Sequence, residues 1–113
     1  MKEATILLKI QAAVVKEFPN AWIRKLADRF TRGLPDLIIC YQREKLLPPL
    51  VLSETKKNYY STSPEFAVLF VEVKRPDGSE SKIQELERSR VTTLGGSWIV
   101  ASSAAEVINY MRC

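Results

Sequence analysis

The sequence contains no histidine. This absence excludes nucleases and hydrolases whose general base is histidine, and zinc sites with histidine ligands. Only two cysteines are present, Cys40 inside an apolar run and Cys113 at the last position, so neither a disulfide framework nor a cysteine zinc site is expected. We therefore expect a reducing intracellular setting and a cytoplasmic location.

Long hydrophobic runs are also missing. No apolar stretch approaches membrane-spanning length and no signal peptide precedes the first predicted helix, so no membrane partner is expected. A length of 113 residues predicts a single domain, 1–113, with one core. The 17 basic and 13 acidic residues leave a net charge of +4, which is compatible with a polyanionic partner without proving one.

Two strand-like stretches carry the polar groups of greatest interest. Residues 70–74 are rich in β-branched and aromatic side chains, and alternation along a strand puts Glu72 and Lys74 on one face. Asp36 opens a second apolar run, residues 37–40. If these strands lie side by side, two carboxylates and an amine converge, which predicts a metal-dependent phosphodiesterase site. The less favoured alternative is a buried ion pair without chemistry, which is uncommon inside sheets and a weak stabiliser.

These residues also resemble a known family. Asp36 after Pro35, followed by Glu72-Val73-Lys74, is similar to the signature of PD-(D/E)XK nucleases. Residues 33–36 (GLPD), 70–74 (FVEVK) and 81–84 (SKIQ) resemble more narrowly the VRR-NUC (virus-type replication-repair nuclease) family. The resemblance covers nearly the whole chain, and residues 42–66 are its main departure.

The resemblance implies a fold and an activity. The expected fold is α/β, with a restriction-endonuclease-like core and a mixed central sheet flanked by helices in the order α-β-β-β-α-β-α. The expected activity is metal-dependent, structure-specific DNA cleavage, with a homodimeric Holliday-junction resolvase as the preferred form. A flap or nicking nuclease and an inactive DNA-binding module are the alternatives. Stand-alone members look viral, which would place the protein in the host-cell cytoplasm.

The resemblance also assigns site residues and a cofactor, Mg²⁺ or Mn²⁺. The implied catalytic residues are Asp36, Glu72, Lys74, Glu3 and Gln84, and the implied metal ligands are Asp36, Glu72, the Val73 carbonyl and Glu3. Carboxylate oxygens suit these hard cations, and Lys74 would orient or deprotonate the nucleophile or neutralise developing charge.

Glu3 and Gln84 each have a structural alternative. Helical spacing puts Glu3 on the predicted inward face of a first helix, residues 2–18, but an acid in a first turn is also favoured by the helix dipole. Gln84 fits a capping box that opens a second helix ending near Leu94, or it orients Lys74 or the attacking water. The predicted inward stripe of that second helix comprises Ile83, Leu86, Val91 and Leu94. Arg90 falls within it, as a DNA contact or a dimer salt bridge.

Basic residues near these motifs are candidate phosphate contacts, although a solvated edge is an equal alternative. The predicted DNA-binding residues are Arg24, Lys25, Arg29, Arg32, Lys56, Lys57 and Arg75. Residues 42–66 are predicted to be an irregular insertion with a short strand at 50–52. Tyr59 and Tyr60 in this insertion could stack on bases, but a mobile insertion with packed tyrosines is favoured.

Overall fold

The structure, a computed structural model, describes residues 2–26, 33–48, 50–52, 57–59 and 61–113. The helices are α1 (Glu3–Glu17), α2 (Lys82–Thr93) and α3 (Ala104–Arg112). The strands are β1 (Trp22–Lys25), β2 (Leu37–Leu46), β3 (Leu50–Leu52), β4 (Lys57–Tyr59), β5 (Thr62–Val73) and β6 (Ser97–Ala101). Among these residues, no helix is both long enough and apolar enough to span a membrane.

Four strands form a mixed sheet in the order β1-β2-β5-β6. β2 pairs antiparallel with β1 and β5, whereas β5 and β6 are parallel and are joined through α2. A parallel pair needs such a crossover because a tight turn can only reverse the chain. Apart from the additional β3–β4 pair, the order is α-β-β-β-α-β-α, so the predicted fold is confirmed.

β2 and β5 extend well into the segment predicted to be an irregular insertion. Their pairing runs from Leu37↔Val71 to Leu46↔Thr62, so residues 42–46 and 62–66 form a two-stranded arm. The prediction of irregular structure is wrong for these residues, while the predicted short strand at 50–52 is confirmed as β3. Residues 42–45 are polar and carry little strand signal; cross-strand contacts such as the Arg43–Glu65 ion pair, 3.1 Å, accompany the ladder there.

The two faces of the sheet differ in burial. Alternate residues of β2 and β5 pack with α1 and α3 and are fully buried: Leu37, Ile39, Leu69 and Val71. The helices contribute the rest of this core, namely Ile6, Ile10, Val14, Val107, Ile108 and Met111. The intervening residues on the opposite face, Ile38, Cys40, Val68 and Phe70, are only half-buried. One face is therefore the core side, and the other is partly open.

α2 does not bury the predicted apolar stripe. Ile83, Leu86 and Leu94 are exposed, Leu94 by 89%, and Val91 is half-buried, so that prediction is wrong. Helical spacing shows that a helix is amphipathic, but it does not show that another element covers the apolar side. Arg90 is also exposed, and it pairs within its own helix with Glu87 at 3.4 Å.

Candidate active site

Asp36 meets the end of β5 because β2 and β5 are antiparallel. The Asp36 backbone N–H donates to the Val71 carbonyl at 2.9 Å, and the Val73 N–H donates to Asp36 Oδ2 at 2.7 Å. The second bond fixes the Asp36 carboxylate against the strand that carries Glu72. The structure thus brings Asp36 and residues 72–74 together, as the sequence predicts.

Gly33 shapes the approach to Asp36. Its φ is +86°, in the left-handed region that side chains disfavour. A Cβ at this position would also lie 2.6 Å from Ile83 Cγ2 of α2. Gly33 therefore permits both the turn and the close contact between this segment and α2.

Glu72 is buried, and no N–H or O–H group of the described residues donates to its carboxylate. The Glu72 side chain is 0% exposed. Lys74 Nζ lies 4.0 Å from Glu72 Oε1, which is an ion-pair distance but too long for a hydrogen bond. Because burial of an unsolvated carboxylate is costly, this arrangement calls for a positive partner or a bound proton.

The pKa of Glu72 reflects this environment. Burial raises the pKa to about 8, and a hydrogen bond from the protonated carboxyl to Glu80 raises it as well. The Lys74 ammonium acts in the opposite direction, whereas Asp36 adds a smaller upward effect. Without a cation, this environment therefore favours the protonated form of Glu72. Such perturbed carboxyl groups are concentrated in functional sites.

Glu80 is a neighbour of Glu72 that the sequence motifs do not predict. Its side chain is 13% exposed, and Arg88 Nε of α2 donates to both of its carboxylate oxygens, at 2.9 and 3.1 Å, while Arg88 Nη2 lies 2.9 Å from Oε1. These contacts from two guanidinium nitrogens hold the carboxylate near Glu72. Glu80 and Arg88 are eight residues apart and lie on either side of the start of α2. Helical rules for side-chain pairs apply to spacings of three or four residues, so they do not predict this contact.

Glu3 lies at the first residue of α1 and is exposed. By helical spacing Glu3 shares the face of Ile6, Ile10 and Val14, as predicted, but it is exposed because it lies at the end of the helix, so the expected burial is wrong. An acid at this position interacts favourably with the helix dipole. Within the described part of the chain, no group of three His, Cys, Asp or Glu residues is arranged to hold a metal ion. The metal-binding roles of Glu3 and of the Val73 carbonyl stay predictions.

Gln84 forms the predicted capping box. The Ser81 N–H donates to Gln84 Oε1 at 3.1 Å, and the Gln84 N–H donates to Ser81 Oγ at 3.2 Å. The capping alternative is therefore confirmed, while a role of Gln84 in catalysis stays a prediction.

Replacing Gln84 with glutamate separates these two roles. Glutamate at this position completes a capping box as glutamine does, but it removes the amide donor. If capping is the main role, Gln84→Glu should keep both the wild-type unfolding free energy and the wild-type cleavage rate. Gln84→Ala should lose about 1 kcal/mol of stability, because it removes one side-chain hydrogen bond to the Ser81 N–H. Urea unfolding and cleavage rates measure these effects, and a large rate loss in Gln84→Glu alone would assign the amide to catalysis.

The predicted DNA-binding residues are only partly described. Arg24 and Lys25 are exposed on β1, and the Arg24 guanidinium lies 4.7 Å from the Trp22 ring centroid. Arg75 is exposed and pairs with Asp77 at 3.8 Å. Side-chain positions of the others lie outside the described residues: Arg29, Arg32, Lys56 and Lys57. DNA binding by this set stays a prediction.

Comparison with known proteins bears on the fold. No protein-family model and no curated protein sequence matches the chain. A solved structure described as a VRR_NUC domain is similar, with a TM-score of 0.55 and 21% sequence identity, over 88% of this chain and 87% of that chain. At this identity the likeness concerns the fold alone. The chain has the α/β fold of a VRR_NUC domain, as its residues 33–36, 70–74 and 81–84 predict.

Proposed function

We propose that the protein is a metal-dependent DNA endonuclease of the PD-(D/E)XK type, with Asp36, Glu72 and Lys74 in its active site. The observation that carries this proposal is the Glu72 carboxylate, which is fully buried and has no hydrogen-bond donor. An ion pair kept for stability alone gains little from such burial. The likeness to a VRR_NUC domain fold supports the same conclusion.

The two carboxylates fit a hard divalent cation. Both oxygens of Glu72 lack donors, and Asp36 uses one oxygen to accept the Val73 N–H. Mg²⁺ and Mn²⁺ prefer oxygen ligands, and Mg²⁺ retains several waters. When held by Asp36 and Glu72, such a cation would offset the phosphate charge and promote ionisation of a water.

The protein side chains supply position and charge. The bond from the Val73 N–H holds the Asp36 carboxylate in one orientation, so little ordering is needed when DNA binds. The Lys74 ammonium follows directly after β5 and remains partly exposed, so it can reach a water or a phosphoryl oxygen. It would orient the attacking water and stabilise negative charge as the bond to the 3′-oxygen breaks.

We further propose that the substrate is branched DNA and that the enzyme is a two-fold dimer. The preferred form of this proposal is a Holliday-junction resolvase. One active site cuts one strand, and a second copy related by a two-fold axis reaches the opposed strand. Lys2, Lys9 and Lys16 form an exposed stripe on or next to α1 that we propose as an interface or junction contact. Light scattering tests the dimer, and mixing with Lys74→Ala should convert paired cuts into single nicks.

The activity is tested with a panel of labelled DNAs. The panel comprises a four-way junction, both flap polarities, a nicked duplex and an intact duplex. We expect branched DNA to be cut with Mg²⁺ or Mn²⁺ and to remain intact in EDTA. Binding without cleavage under every cation would instead support an inactive DNA-binding module.

A further inference from the structure

The partly open face of the sheet leads away from the candidate active site. Glu72, Phe70, Val68 and Phe66 alternate along β5, so their side chains share this face. Exposure rises along the series, from 0% at Glu72 through half-buried Phe70 and Val68 to 69% at Phe66. Glu72 and Phe66 are about 20 Å apart along the strand at roughly 3.3 Å per residue. The face is therefore closed at the active site and open at its far end.

A second aromatic ring lies on the same face, two strands away. Trp22 of β1 pairs with Cys40, and Cys40 pairs with Val68, so cross-strand register puts these three side chains on one side of the sheet. Trp22 is 47% exposed, and the Arg24 guanidinium lies 4.7 Å from its ring centroid. The indole ring of Trp22 and the guanidinium group of Arg24 therefore lie next to each other at the surface.

A cleft of about 640 Å³ joins the two exposed rings. It is lined in part by Trp22, Cys40, Gln42, Glu44 and Phe66. Its volume is within the range of small-molecule sites, roughly 300–1,000 Å³. By volume, the cleft is large enough to admit the planar ring of a base.

The charges of the cleft indicate which part of a ligand would enter it. Glu17 also lines the cleft, but Arg112 Nη2 pairs with it at 2.6 Å. Glu44 is exposed and would repel a phosphate, whereas it can accept a hydrogen bond from a base N–H group, either an amino group or the N3–H of thymine. Arg24, beside the cleft on β1, suits a phosphate. Bases would therefore face the cleft while phosphates stay outside it.

We propose that this cleft stacks the bases of a single-stranded DNA segment, the unpaired arm of a branched substrate whose backbone continues to Glu72. Exposed aromatic rings bind unpaired bases because every base offers a flat face, which duplex stacking hides. The net charge of +4 and continuity with the Glu72 end of the sheet favour nucleic acid over a peptide. The link to cleavage rests on the proposed function, but the binding site does not.

Binding is measured without cleavage, using a labelled oligothymidylate in EDTA. Trp22→Ala and Phe66→Ala should each weaken binding roughly 5- to 150-fold, the range reported for losing one stacked base. Trp22→Phe should retain most of the affinity because it keeps a ring. Leu8→Ala is the matched control, since Leu8 is a similarly exposed apolar residue on α1 and should have no effect. Both rings are exposed, so their removal should leave the fold intact, as circular dichroism can check.

An abasic oligomer of equal length provides the second control. It keeps the phosphate charge but lacks the bases, so the wild type should bind it no better than Trp22→Ala binds oligothymidylate. With a flap substrate, Phe66→Ala should raise KM with little change in kcat, and it should not affect KM for a blunt duplex.

The outcomes separate this inference from the proposed function. Unchanged affinity in both ring variants, or equal binding of the abasic strand, would overturn the stacking site even if branched DNA is cut. Occupation of the cleft by a peptide but not by oligothymidylate would also overturn it. Ring-dependent binding by a protein that cleaves nothing would leave the stacking site standing and remove the nuclease proposal.

Discussion

Glu72→Gln should lower the rate of DNA cleavage by at least about a hundredfold, the loss typical when one preorganised electrostatic group is removed. The substitution keeps the shape of the side chain but removes the charge that a divalent cation needs. Asp36→Asn and Lys74→Met should have losses of similar size, because all three act on the same charged transition state. Initial rates with saturating Mg²⁺ or Mn²⁺ measure the effect. Losses in double variants should be far from additive.

Glu65→Gln is the matched control for these substitutions. Glu65 is also on β5, but it is partly exposed and pairs with Arg43 at 3.1 Å. Such surface pairs contribute about 0–1 kcal/mol, so this variant should fold and cut normally. Asp36→Asn should still bind DNA, since it loses a repelling charge and no basic group. A wild-type rate in any one of the three site variants would contradict the assignment.

The core of the site was predictable because it depends on simple periodicities. Alternation along residues 70–74 puts Glu72 and Lys74 on one face, and the structure has their charged groups 4.0 Å apart. The capping box at Ser81 and Gln84 is local and needs no tertiary information. That the two strands lie side by side was only an assumption, since single-sequence periodicity does not specify which strands pair; the structure supplies the antiparallel pairing that brings Asp36 to Val73.

The features that the sequence did not predict depend on long-range contacts. The β2–β5 arm pairs Gln42 with Phe66 across a long connection, and polar residues there obscure the strand pattern. The spacing of apolar residues correctly predicted that α2 is a helix. Whether another element covers the apolar side of that helix depends on its neighbours in the fold, which the spacing does not specify. The Arg88–Glu80 contact likewise depends on how the turn after β5 leads into α2. Glu3 shows the same limit, since a residue on the correct helical face is exposed at the helix end.

The candidate active site and the open face depend on the same feature of the sheet. Because side chains alternate on β5, the strand that buries Val71 in the core also directs Glu72 and Phe66 to the other side. α2 packs on β6 at one end of this sheet, whereas the far end carries the exposed rings. The buried end of this face, at Glu72, suits a reaction from which water is largely excluded. The exposed end, at Phe66, suits the binding of an extended ligand.

In EDTA, the wild type should lose stability with rising pH in a way that Glu72→Gln does not. The pKa of Glu72 is raised from its ordinary value of 4.5 to about 8 by burial and by Glu80, against the opposing Lys74 ammonium. Between these values the folded protein holds a proton that the unfolded chain has released. Since the folded state binds more protons, the contribution of Glu72 to the free energy of unfolding falls as pH rises through this window and is constant outside it.

The change should be on the order of a few kcal/mol across the window, because one pKa unit corresponds to about 1.4 kcal/mol. Urea unfolding of both proteins between about pH 5 and about pH 9 measures it as a difference in slope. That difference is independent of any constant cost of burying the glutamine amide.

Glu65→Gln should follow the wild-type profile, and Mg²⁺ should flatten that profile because it favours the ionised carboxylate. Parallel profiles for the wild type and Glu72→Gln would mean that the folded protein already stabilises an ionised Glu72, and a cation would then not be needed to offset its burial.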